Sequence, residues 1–567
     1  MTAHGEAALP GSLAEALELA ADGPAGVRFF ARDNTVGEHA YEDLARDAAL
    51  LAAALRARGI QKGDCVALVQ STSYDLIRSL YGVLYCGAVP VCLATPRMGR
   101  MADYKPATIR MLQTAKARLV VTEEKTRPGL LKVIDELALS CVTPEELAPP
   151  AGNTSGGLRE SMRPEEPALI QFSSGTTMAP KPIVLTHGNI MHNTRAILAA
   201  LPGNSWEHSG CSWLPLHHDM GLIGGLFSAV TARGSMTFLK PEDFIARPGL
   251  WPRALSESRA TICPAPNFAL QVCVDRVREE EIPELDLSNW SIALIGAETV
   301  REDTLRRFAD RFAGAGFRYE SFTPVYGLAE ATLAVAFSEV PRAPLSLRLN
   351  RSELAEGRVV QDSDAAGATV VMSVGRPLRD VEIRIRDENG RDLGENRVGR
   401  IHVSGPLVMK GYLDRPEETR AVVRDGFLDT GDLGFLVDGE LYIHGRERDI
   451  IILNGRNYDP RDIEFAADEI EELDHDRAAA VPVQDERRGT EGFVFLVEKS
   501  KGRVSEPDAL ALRAREAVIT ATGLIPELVG IVETARLPRT TSGKIRRGRA
   551  REMYLAGDFE LLGKCER

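Results

Sequence analysis

The stretch from Asp64 to Ala94 carries two β-rich runs, DCVALV (Asp64–Val69) and GAVPVCLA (Gly87–Ala94). Between them lies SYDLIRSLYGVLYC, whose apolar residues recur at helical spacing. A strand, a crossover helix and a second strand form a βαβ unit with parallel strands. A third run, ARLVVTEE (Ala117–Glu124), continues the pattern. Parallel strands need cover on both faces, so this unit demands α/β layers around a large core. With 567 residues, 44% of them hydrophobic, the chain can build that core and at least two domains.

Further along, PALIQF reads as a strand after the loop PPAGNTSGGL (Pro149–Leu158), and HGNIMHNTRAILAAL reads as a helix capped by Thr186. From Ser373 the pattern becomes short strands with Gly and Asp turns (VEIRIRDENGRDL, GRIHVSG, GFLDTGDLGFLVDGELYIHG), which is antiparallel β signalling. Mixed α/β sequence then resumes at RERDIIILNG, which places a boundary at Arg446–Asp449. The expected fold is α/β: a large N-terminal domain, 1–446, of parallel-rich βαβ subdomains plus an antiparallel β subdomain, and a small mobile α+β C-terminal domain, 447–567.

A formal charge of −13 disfavours a nucleic-acid partner. The N-terminus lacks a basic region before an apolar core, and no apolar run reaches the roughly 20 residues that span a bilayer, so a cytoplasmic protein without membrane insertion is expected. Eight cysteines never form CxxC and read as small core residues.

The stretch FSSGTTMAPKPIVLTH (Phe172–His187) fails the GxxxxGK[ST] test for a Walker loop. It still offers Ser173, Ser174, Thr176 and Thr177 around Gly175, then Lys181, between a strand and a helix. Hydroxyls, backbone N–H groups and a cation suit polyphosphate oxygens, and they suit a solvated polar turn equally well. A second stretch, LPRTTSGKIRR (Leu537–Arg547), presents Lys544 after a Ser-Gly turn.

Together with YGLAE (Tyr326–Glu330), TGD (Thr430–Asp432) and GRERDIIILNG (Gly445–Gly455), in order, these stretches resemble the adenylate-forming superfamily of acyl-CoA synthetases, luciferases and peptide-synthetase adenylation domains. SWLPLHHDMGLIGGLF, PAPNFAL, GAE and YGLAEATL are similar to fatty acyl-AMP ligases in particular, and so is the long segment from Ser338 to Met372, read as a ligase-type insertion. The resemblance implies ATP and Mg²⁺ as cofactors, a fatty acid substrate, and an acyl carrier protein whose phosphopantetheine thiol receives the acyl group. It implies that Ser173, Thr176, Thr177 and Lys181 belong to the phosphate loop, and that Glu330 sits near the metal. Tyr326 and Gly327 would lie at adenine beside Gly296, Ala297 and Glu298, with Asp432 and Arg446 at the ribose. Lys544 would bridge the carboxylate and the α-phosphate, His218 would contact the carboxylate or adenylate, and Arg448 would be the hinge.

His217, His218 and Asp219 are successive residues that point in different directions, a poor arrangement for one metal ion. Met178 and Pro182 stand where the family has glycines, which leaves open a non-catalytic acyl-adenylate or nucleotide-binding homologue. An acyl-CoA synthetase is the nearest rival reading; an amino-acid adenylation domain lacks support in LPLHHDMG. Seven basic residues lie between Arg536 and Arg551, and part of this patch is expected to steer an acidic carrier, with Lys544 reserved for chemistry and Arg547 and Arg549 as the test positions. The apolar residues of LSLRL and TVVM are expected to dock the 338–372 segment onto the large domain.

Overall fold

The computed structural model describes residues 10–96, 101–147, 159–173, 180–362, 368–453, 456–468, 470, 473, 477–485, 490–500, 506–540 and 544–566. The βαβ expectation holds. Strand Cys65–Val69 pairs in parallel with both Val89–Cys92 and Leu119–Thr122, and helix Tyr74–Tyr85, capped by Ser73, makes the crossover. The run after Thr186 is helix His187–Ala199, held by a reciprocal capping box between Thr186 and Asn189.

Among the described residues, the largest sheet has nine strands. Gly26–Phe30, Met236–Phe238, Gly210–Ser212, Ile262–Ala265, Ile292–Ile295 and Phe322–Gly327 are mutually parallel at its centre, and its flanking strands pair antiparallel. One face packs on an aromatic core in which Trp213, Trp251, Trp290, Phe308, Phe317 and Phe322 interlock edge to face. The predicted antiparallel layer follows as Glu382–Arg386, Gly399–Ser404, Phe427–Val437 and Glu440–Arg446, joined by Val423–Arg424. A further four-stranded sheet, Ala478–Asp485, Thr490–Glu498, Leu528–Val532 and Gly563–Glu566, carries helix Pro507–Thr522 and encloses its own core around Phe493, Phe495 and Leu510.

Segment 338–372 forms an antiparallel pair, Ser346–Leu349 with Thr369–Met372, and a short helix, Arg351–Ala355. It docks as expected: Leu349 and Leu354 pack on Phe435 and Tyr442 of the antiparallel layer, and Met372 enters the aromatic core. It also reaches the C-terminal part, because Arg351 donates to the Ala521 carbonyl and Arg456 donates to Glu356 Oε1 at 2.9 Å. The cysteines are free thiols, and Cys86, Cys92, Cys211, Cys263 and Cys273 are buried. Among the described residues, no helix is long and apolar enough to cross a membrane.

One local expectation is corrected. Strand Phe172 is followed not by a strand-to-helix turn but by a second strand, Pro182–Thr186, antiparallel to Pro167–Phe172. Pro182 therefore lies outside the loop, as the first residue of a strand, where a missing N–H is tolerated. Ser173 and Lys181 close the hairpin stem: Ser173 N donates to the Lys181 carbonyl at 3.0 Å and Lys181 N to Ser173 Oγ at 3.1 Å. Thr176, Thr177 and Met178 lie outside the described residues.

Candidate active site

In an open parallel sheet, ligands bind beyond the carboxyl ends of the strands. Four of the six central strands here deliver a motif at that end. Gly210–Ser212 leads to Trp213, His217 and His218, and Ile262–Ala265 leads to Asn267 and Phe268. Ile292–Ile295 leads to Gly296, Ala297 and Glu298; Phe322–Gly327 ends in Tyr326 and Gly327, just before Glu330. These ends surround a cavity of about 1830 Å³, lined among others by Ser173, Lys181, His218, Ala297, Glu298, Tyr326, Gly327, Glu330, Arg446 and Lys544.

Two glycines are dictated by packing. A Cβ on Gly327 would stand 1.6 Å from the Leu333 carbonyl oxygen, and one on Gly296 would stand 2.8 Å from both Val325 O and Val325 Cγ2. Gly296 is wall rather than lining. Beside these glycines the backbone is strained: Ala297 has φ +66° and the β-branched, fully buried Thr332 has φ +64°. Such conformations persist where surrounding structure enforces them. The Thr332 hydroxyl donates to the Leu407 carbonyl at 2.6 Å, which fixes the turn that presents Glu330.

Asp432 and Arg446 face each other across the antiparallel ladder. Arg446 Nε donates to Asp432 Oδ1 at 3.1 Å, and the Tyr326 hydroxyl donates to Asp432 Oδ2 at 2.8 Å. Asp432 thus sits behind the cavity wall, held by two cavity-lining side chains. Glu330 accepts from the Tyr412 hydroxyl at 3.1 Å, and Lys181 Nζ lies 4.6 Å over the Tyr412 ring. Burial raises the Glu330 carboxyl above its usual range, while Tyr412, Arg446 and Lys181 pull it down. Nothing in the sequence reading marked Tyr412; its position depends on pairing with Ile183, a long-range contact.

Lys544 joins this constellation from the far end of the chain. Burial lowers its ammonium pKa, as does the nearby Arg446 charge, whereas Glu298, Asp219 and Asp432 raise it. Its loop is closed by Thr540 N donating to the Lys544 carbonyl at 2.7 Å and Lys544 N donating to Thr540 Oγ1 at 3.1 Å. The His217 and His218 rings lie 5.1 Å apart just before a π-helical run, Met220–Phe227, whose first N–H is capped by Asp219 at 2.7 Å. No group of three or more potential metal-ligating side chains occurs among the described residues.

The basic stretch is corrected at Arg547. Its guanidinium is largely buried against Glu464, with Nε to Oε1 at 2.7 Å, and Asp449 lies 3.5 Å away. A charge tied up in this way holds the C-terminal core together and is not displayed to a partner. Arg549 is half-exposed and pairs with Glu552 at 2.9 Å.

Residues 18–413 match the family model described as AMP-binding enzyme. The chain belongs to that family. It is 34% identical over 97% of its length to a Caulobacter vibrioides protein provisionally named an acyl-CoA synthetase, covering 96% of that protein. It is 30% identical over 93% of its length to the medium-chain-fatty-acid–[acyl-carrier-protein] ligase JamA of Moorena producens, covering 92% of it. Among solved structures, one from work on fatty acyl-adenylate ligases of E. coli and L. pneumophila superposes with a TM-score of 0.90 at 30% identity, covering 96% of this chain and 98% of that one. The expected layout of a large N-terminal and a small C-terminal domain is that of this fold.

Proposed function

We propose that this AMP-binding enzyme is a fatty acyl-AMP ligase that activates a free fatty acid with ATP and passes the acyl group to the phosphopantetheine thiol of an acyl carrier protein. The observation that carries the reading is one cavity with two unlike sets of lining residues. Lys181, Glu330, Arg446 and Lys544 are charged, while Ile197, Leu201, Leu294 and Phe337 pack together in one apolar cluster. A carboxylate and an alkyl chain have opposite solvation needs, and the two sets meet both.

A carboxylic acid is ionised near neutral pH, so its oxygen attacks the α-phosphorus without a general base. The bond to the β-phosphate breaks and pyrophosphate leaves. The thiol sulfur then bonds to the acyl carbon and AMP departs. For the first step the protein supplies charge and alignment. Lys544 bridges carboxylate and α-phosphate, Lys181 and the loop it closes hold the terminal phosphates, and Tyr326, Ala297 and Glu298 flank the adenine. Arg446 approaches the ribose with Asp432 behind it, and His218 meets the carboxylate. Glu330 fits Mg²⁺: it is a hard carboxylate with one oxygen bonded to Tyr412, and burial makes a cation welcome there. When bound with ATP, the ion neutralises phosphate charge. In this reading the units are 1–446 and 447–567, turning about Arg448, whose neighbours Arg446, Glu447 and Asp449 also line the cavity.

Mass spectrometry of a fatty-acid panel incubated with ATP, with coenzyme A and holo-carrier protein in separate tubes, tests the proposal. Acyl-adenylate and acyl-carrier with little acyl-CoA is the expected result. Abundant acyl-CoA would favour the synthetase reading, which the name of the Caulobacter relative supports. Absence of any adenylate would favour a binding homologue.

A further inference from the structure

Two deeply buried side chains on one wall of the cavity each keep one polar atom without a partner among the described residues, and they flank the same aromatic ring. Trp213 and Gln271 are each 3% exposed and both line the cavity. Among the described residues, the Trp213 Nε1–H has no acceptor and Gln271 Oε1 has no donor. The Gln271 amide cannot be turned to cure this. Its Nε2 donates to Asp275 Oδ1 at 2.6 Å, and a carboxylate only accepts, so Oε1 is the free end. Phe268 connects the pair: its ring meets Trp213 edge to face at 5.8 Å, and Gln271 follows it by three residues on the same face of helix Asn267–Arg276.

This wall is tied to the reaction centre. Phe268 N donates to Glu298 Oε1 at 2.6 Å, and Glu298 is one of the acids that act on Lys544. Gln271 stands about one helical turn, ~5 Å, further along. An indole N–H and an amide oxygen buried without partners are unfavourable, and native structures normally satisfy such groups. A plain alkyl chain gives neither of them a partner. A hydroxyl or a secondary amide serves both, because each donates and accepts.

Resting on the proposed ligase reading, we infer that this wall is a polar subsite that receives a hydroxyl or amide group of the reacting ligand, with Gln271 Oε1 accepting from it and Trp213 Nε1 donating to it. Two sources carry that chemistry: a hydroxyl near the carboxyl end of the acid, and the amides of a pantetheine arm.

The test measures binding by calorimetry, so it does not depend on turnover. Affinities of 3-hydroxydecanoate relative to decanoate, and of pantetheine relative to cysteamine, are compared for the wild-type chain and for Gln271→Met. Asp275 is exposed, so water replaces its lost partner and the substitution leaves no new buried orphan. Trp213→Phe, which keeps a ring to stack on Phe244, is the second variant. The inference predicts that one of the two ratios falls by about tenfold, the usual weight of one buried hydrogen bond. A fall in the acid ratio assigns the hydroxyl, and a fall in the thiol ratio assigns the arm. Both ratios staying within twofold in folded variants overturns the inference. A separate pyrophosphate-release assay on decanoate reports on the ligase reading alone.

Discussion

At the scale of single residues, the site is an arrangement of charges whose surroundings set their strength. Lys544 is buried beside Arg446 and balanced by Glu298, Asp219 and Asp432, so removing it takes away a desolvated cation that the other groups cannot replace. Lys544→Ala is expected to slow adenylate formation a hundred- to thousandfold, about 2.7–4 kcal/mol, with the thermal midpoint unchanged. Single-turnover pyrophosphate release measures it, and an undiminished rate would sink the assignment. Arg547 should behave in the opposite way. Because it neutralises the buried Glu464, Arg547→Met is expected to destabilise the C-terminal core by ~3–5 kcal/mol in urea unfolding. The apparent KM for carrier should move little.

At the scale of elements, the ease of reading followed the range of the interactions. The βαβ unit at 64–94 and the capped helix His187–Ala199 declare themselves through spacing and a cap within a few residues. Strand Pro182–Thr186 does not: all five of its residues are buried, so it shows no alternation, and its last residue doubles as the helix cap. The site divides likewise. Motifs at strand ends could be read in the sequence, whereas Tyr412 acquires its place by pairing across the fold, and Trp213 and Gln271 look like ordinary core until their orphaned atoms are seen. A pH effect belongs to this scale. Helix Leu13–Ala21 is pinned by Leu13 N donating to His187 Nδ1 at 3.3 Å, and burial pushes the His187 pKa down from 6.5 to about 4 against the pull of Glu166 and Glu15. The folded chain therefore keeps this ring neutral after the unfolded chain has protonated it. Its stabilisation is complete above pH 6.5 and is lost as pH falls towards 4, by up to roughly 3 kcal/mol. Thermal midpoints of wild type and His187→Gln between pH 7.5 and 4 check this, with the variant expected to show the shallower decline.

At the scale of the whole molecule, segment 338–372 touches the antiparallel layer through Leu349 and Leu354 and the C-terminal part through Arg351 and Glu356. A bridge of this kind would restrain the proposed rotation of one part against the other. Its excision is expected to raise acyl-CoA yield without abolishing adenylation, at some loss of stability because Phe435 and Tyr442 lose their cover. Arg351→Met combined with Arg456→Met, which cuts the ties and keeps the cover, should give the same product shift by mass spectrometry; no shift in either variant counts against the restraint. The wall that carries Glu298 makes its own attachment one residue later. Arg461 bonds the Thr299 hydroxyl, Arg301 pairs with Asp468 at 2.5 Å, and the Arg301 guanidinium lies 3.6 Å over the Phe465 ring. The unit of exchange between relatives is therefore not the stretch after the turn at Arg446. A chimera joined there sets a foreign surface against Thr299 and Arg301 and leaves the incoming lysine out of register with Glu298, unless the short stretch from Glu298 to Arg301 is transplanted with it.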